Sequence, residues 1–109
     1  MVNMRKKLKV SGNGWVLYFT KPLLKLLGYN PAETKILITA KGNTLLLKAI
    51  EDKDTDEYKN NMVRKFQKNG CSYGLYFPGT LIEVLDIEPE TDFLDIEINE
   101  NIMLIKKAE

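Results

Sequence analysis

The chain has 109 residues, with 16 Lys/Arg against 15 Asp/Glu, no histidine and one cysteine, Cys71. At ~100–200 residues per domain this is one domain's worth of material, residues 1–109. A lone cysteine makes no intrachain disulfide, and no signal peptide, spanning segment or metal-ligand cluster is read along the chain, so a cytoplasmic protein with no cofactor and no metal is expected.

The first expected element is a short basic strand, Lys6 to Val10, in which period-two alternation turns Leu8 inward. The turn Ser11-Gly12-Asn13-Gly14 contains a hairpin Asn-Gly, and Trp15 to Phe19 follows as a second strand with Leu17 and Phe19 inward and Tyr18 outward. A short helix comes next. Thr20 suits its cap, Pro22 its first turn, Leu23, Leu24, Leu26 and Leu27 its apolar stripe, and Gly28 its end. Tyr29, before Asn30-Pro31, reads as a core or rim residue. A hairpin closes the unit: Ile36 to Thr39, a turn at Lys41-Gly42-Asn43, then Leu45 to Lys48. Residues 52–62 are polar without apolar periodicity and read as a linker, or as a short helical turn, able to cover up to ~35 Å when extended.

The same parts then recur. Shifted by 58 positions, residues 63–109 lie over 5–51 without a gap. Gly12 falls on Gly70, Leu17-Tyr18-Phe19 on Leu75-Tyr76-Phe77, Leu23 on Leu81, Leu27 on Leu85, Pro31 on Pro89, Ile38 on Ile96, Asn43 on Asn101, Leu46 on Leu104 and Lys48 on Lys106. About a quarter of the positions are identical, which makes the chain a duplicated half-fold, ββαββ twice, and with two copies no solenoid. In the second copy the basic strand is Arg64 to Lys68 with Phe66 inward, and the turn is Asn69-Gly70-Cys71-Ser72. Pro78 starts the helix, Leu81, Ile82, Val84 and Leu85 form its stripe, and the hairpin runs Leu94–Ile98, Asn99-Glu100-Asn101, Ile102–Ile105. A copy of about 47 residues is marginal alone, and so is an isolated hairpin, so the copies are expected to interleave and share one core.

The ββαββ order, the Gly-Asn turn, and a strand running into Thr20-Lys21-Pro22-Leu23-Leu24 and Leu27-Gly28 resemble the swapped-hairpin AbrB/MazE (SpoVT-like) family. Gly12-Asn13-Gly14 through Phe19-Thr20 and Gly70-Cys71-Ser72 through Phe77-Pro78 are similar to its longer-turn MazE form. The resemblance spans both copies. It implies a mainly β fold with short helices, in which two units exchange hairpins to close one small barrel, here supplied by one polypeptide. It also implies a DNA-binding transcriptional regulator acting on double-stranded DNA. In that family the first strand and following turn meet DNA with basic residues. Those positions are Arg5, Lys6, Lys7, Lys9 and Asn13 in one copy, and Arg64, Lys65, Lys68 and Ser72 in the other. The family's second-strand arginine, however, is Tyr18 here and Tyr76 in the second copy, and tyrosine lacks the bidentate fork that arginine offers guanine. It donates to a phosphate or stacks on a base instead.

The balanced net charge hides a division. Residues 1–51 carry nine Lys/Arg and two Asp/Glu, and residues 63–109 carry five and nine. The second copy's acids (Glu83, Asp86, Glu88, Glu90, Asp92, Asp95, Glu97, Glu100) fall on its helix, loop and last hairpin, leaving its first strand basic. Both first strands thus suit phosphates, and the same lysines on an exposed edge also deter strand pairing between molecules. The alternative is an antitoxin-like or other protein-binding module using the acidic face of the second repeat. The chain stops directly after the last strand, so a toxin-wrapping tail is not expected. Trp15 and Tyr73 read as packing across the seam between copies, and Cys71 as without a role. No histidine, no phosphate-cradling loop and no paired carboxylates are seen, so no enzyme is expected. A monomeric pseudo-dimer and a homodimer both remain consistent with the sequence.

Overall fold

A computed structural model of the chain describes residues 2–12, 14–26, 28–30, 35–50, 62–70 and 72–108. Asn13, Cys71, Leu27, Pro31 and almost all of the 52–62 linker lie outside these. The first repeat contributes β1 (Val2–Lys6), β2 (Lys9–Ser11), β3 (Gly14–Thr20), α1 (Lys21–Leu26), β4 (Lys35–Lys41) and β5 (Thr44–Ile50). The second contributes β6 (Met62–Lys65), β7 (Gln67–Asn69), β8 (Ser72–Phe77), α2 (Gly79–Leu85), β9 (Leu94–Asn99) and β10 (Ile102–Lys107). The fold is mainly β with two short helices, and its strands form two antiparallel sheets ordered β1-β9-β10-β5-β4-β6 and β2-β3-β8-β7. No helix among the described residues is long and apolar enough to cross a membrane.

The expected first strand of each repeat is broken in two. Lys7 and Leu8 separate β1 from β2, and Phe66 separates β6 from β7, so each strand starts in the large sheet and finishes in the small one. Leu8 and Phe66 sit at these corners with 3% and 4% exposure. Their burial between the sheets anchors the bend, the usual way a strand switches layers.

The halves interleave. β1 of the first repeat pairs with β9 of the second, and β6 of the second pairs with β4 of the first in the same register: Met4 faces Ile96 as Met62 faces Ile38. At the two central seams a residue faces its own counterpart, Leu17 opposite Leu75 and Leu46 opposite Leu104. Self-facing of this kind marks a twofold relation, as at an isologous dimer interface.

Inward residues from both sheets and both helices form one core: Leu17, Phe19, Leu24, Ile36, Leu45, Leu47, Leu75, Phe77, Leu85, Leu94, Ile96, Met103 and Ile105 among them. Each such side chain contributes ~1.5–3 kcal/mol on burial. Phe19 and Phe66, from different repeats, meet edge to face with centroids 5.8 Å apart, a favoured quadrupole geometry. The radius of gyration of 13.1 Å matches the ~13 Å of a compact domain this long.

Backbone turns obey the same duplication. Gly28 ends α1 at φ 80°, its N–H bonded to the Lys25 carbonyl while the Tyr29 N–H reaches the Leu24 carbonyl. This is a Schellman end, and both Leu24 and Tyr29 belong to the core. Asp86, its counterpart, takes φ 55° at the end of α2. In the β4–β5 hairpin Gly42 has φ 60°, and in β9–β10 Glu100 is held at φ 58°. Only glycine occupies that region without a Cβ penalty. Glu100→Gly is therefore expected to raise stability by about 0.5–1 kcal/mol, read as a higher urea midpoint with unchanged slope; a lower midpoint would contradict it. In the β2–β3 turn the positive φ falls on Gly12 (59°), with Ser11 opposite Gly14. The tight turn is thus centred one residue earlier than the expected Asn-Gly.

Candidate nucleic-acid interface

One face of the four-stranded sheet packs on the core through Leu17, Phe19, Leu75 and Phe77. Alternation sends Lys9 and Ser11 of β2, Val16 and Tyr18 of β3, Ser72, Gly74 and Tyr76 of β8, and Gln67 of β7 to the other face. Across this surface Lys9 lies beside Val16 and Val16 opposite Tyr76, while Tyr18 lies opposite Gly74, itself beside Gln67. A shallow groove is lined by Val16, Tyr18, Gln67, Lys68, Gly74 and Tyr76. Ser11 Oγ and Tyr76 Oη are 3.3 Å apart and share a hydrogen bond. None of the four strands contains an Asp or Glu.

The structure gathers Lys9, Tyr18, Lys68, Ser72 and Tyr76 on this sheet. Lys9 and Lys68 are both exposed, yet they are not equivalent. The counterpart of Lys9 is Gln67, and that of Lys68 is Val10, which is 68% exposed. Lys68 shares the register of Tyr73 and reaches solvent because β7 is an edge strand.

The remaining basic candidates lie elsewhere. Arg5 is on β1 in the six-stranded sheet, where its Nε donates to Asp95 Oδ1 at 2.9 Å. Repeat-two acid thus answers repeat-one base, a half-exposed pair contributing ~0–1 kcal/mol. Lys6 holds Nζ 5.9 Å over the Phe19 ring, and Lys7, at the corner, holds its own 6.0 Å over Phe93. Arg64 and Lys65 are exposed on β6, the opposite edge of the large sheet, with Lys65 facing Lys35 across the ladder. Asn13 lies outside the described residues.

Ser11, Gln67 and Gly74 belong to this face and are absent from the sequence candidates. Period-two alternation from Lys9 reaches Ser11, and the 58-residue shift from Lys9 reaches Gln67, so those two were findable. Gly74 carries no signal on its own, because its part depends on what stands across the seam. The acids of the second repeat sit on α2, the following loop and β9. In that loop the Glu88 N–H donates to Asp92 Oδ2 at 2.8 Å, and Lys107 Nζ lies 3.7 Å from the same oxygen. Among the described residues no three His, Cys, Asp or Glu side chains converge as a metal site.

Comparison with protein-family models, with curated proteins and with solved structures returns no match to this chain.

Proposed function

We propose that the chain is a DNA-binding transcriptional regulator of AbrB/MazE type, a single-chain pseudo-dimer that lays the outer face of its four-stranded sheet on double-stranded DNA in the cytoplasm. The observation that carries this reading is charge segregation on a twofold frame. The four strands hold no carboxylate, Lys9 and Lys68 stand at their rim, and the acids of the second repeat lie on other elements. The exchange of β1 and β6 between the halves supports the finer assignment to a swapped-hairpin barrel. In this reading the lysines neutralise phosphates, and Ser72, Tyr18 and Tyr76 fix register or read shape. Arg5, tied to Asp95, serves the fold more than the duplex.

Anisotropy titration into labelled duplex from the chain's own upstream region, and into unrelated duplex, tests the reading at two salt concentrations. Binding is expected to weaken with a log–log slope near −0.9 per neutralised phosphate. Lys9→Ala with Lys68→Ala is expected to flatten that slope by roughly one unit per lysine. An unchanged slope would place the phosphate contacts on other residues, and no binding at low salt would reject the function.

A further inference from the structure

Between the two repeats the core-packing residues of β3 and β8 are kept and the residues of the outer face are not. Inside, Leu17 matches Leu75, Phe19 matches Phe77, and Trp15 is answered by Tyr73. Outside, Lys9 is answered by Gln67, Gly14 by Ser72 and Val16 by Gly74; of these outward pairs only Tyr18 and Tyr76 are alike.

That surviving pair is not equivalent in space. A Cβ placed on Gly74 would lie 2.6 Å from Val16 Cγ2, closer than two carbons approach, so this part of the seam admits one branched side chain and not two. Valine fills it from the first repeat. The Tyr18 ring closes over the bare glycine, its Cε1 3.3 Å from where that Cβ would sit, and Tyr18 is half-buried. Tyr76 faces Val16 instead of a glycine and is 43% exposed, its hydroxyl sharing a hydrogen bond with Ser11. Tyr18 lies over the glycine of β8, whereas Tyr76 reaches across β3 to Ser11 of β2 and is the more exposed of the two.

We infer that this face reads a duplex lacking dyad symmetry, with Tyr76, backed by Ser11 and Lys9, contacting one half-site and Gln67 and Lys68 beside the flattened Tyr18 contacting a different one. The inference rests on the duplex-binding reading above. Two identical copies across a true dyad must present identical side chains to both half-sites, whereas repeats joined in one chain present different ones. Here the packing at Val16 and Gly74 enforces the difference.

The test is selection with the unmodified full-length chain from a pool of random-sequence duplex at low salt, followed by sequencing of the retained fraction. A motif without inverted-repeat symmetry is expected. A palindromic motif, or retention without an enriched motif, would overturn the inference while leaving duplex binding intact. No retention would instead overturn duplex binding itself. On the selected duplex Tyr76→Ala is expected to weaken binding roughly tenfold, the scale of one lost aromatic–base contact. Tyr18→Ala is expected to cost less than about twofold on that scale, and equal losses would overturn the assignment of the two tyrosines.

Discussion

Gly74→Val is expected to lower the unfolding free energy by about 1–3 kcal/mol, the usual cost of forcing extra methyl groups into a filled site. Val16→Gly in the same chain should then recover most of that loss. Val16 is 1% exposed and its γ-methyl already occupies the space a Gly74 side chain would enter. As a β-branched residue its χ1 is restricted, so it does not swing aside freely. The Tyr18 ring, resting on Gly74, would be lifted as well. Urea unfolding of the four members of this double-mutant cycle measures the coupling directly. Additive losses would show that the two positions do not contest the same volume, and the account of the unlike tyrosines would fall with them.

Alkali is expected to weaken this protein through Tyr29. Its ring is 2% exposed, beside Phe66 at 6.4 Å between centroids, and its hydroxyl donates to the Asn101 carbonyl at 2.7 Å. Burial disfavours the phenolate and pushes the hydroxyl from 10.0 up to about 12. The folded pKa lies above the unfolded one, so the stabilisation is complete below pH 10 and is lost as pH rises to about 12. A shift of that size corresponds to roughly 2–3 kcal/mol. Tyr29→Phe removes both the titration and the hydrogen bond, which is worth about 1 kcal/mol. The variant should therefore be the weaker protein at neutral pH and the stronger one above about pH 11. The two proteins differ at this one side chain, so contributions common to both cancel in the difference. Parallel stability curves across that window would show that the phenol ionises without cost.

Much of this architecture is written locally. The inward set Leu17, Phe19, Leu75 and Phe77 follows from alternation, the buried Leu81 and Leu85 of α2 from helical spacing, and the shared core from two copies each too small to stand alone. What the sequence concealed depends on residues far apart. Alternation runs unbroken through Leu8 and Phe66, so nothing local says that the strand changes sheets there. Arg5 meets Asp95 across 90 positions, and no window along the chain contains both. The basic residues of each copy run close together along one expected first strand. They parted company in space because β1 and β6 end up on the large sheet while β2 and β7 border the small one. Tyr18 and Tyr76 are identical letters made different by Val16 and Gly74 across a seam, a relation that appears only once the strands are paired.

The pairing of Met4 with Ile96 also sets when this protein acquires its structure. A ribosome adding about 5–20 residues per second leaves β1 without its partner for several seconds after it emerges. During that time the first repeat lacks β6 as well, since β6 belongs to the later half. Neither half completes its sheet before the other exists, so folding is expected to wait for strands of both repeats and to be slowed by their non-local pairing. Until then the hairpin β4–β5 offers an unfilled edge, and the linked second copy, never more than a tether away, is its natural first visitor.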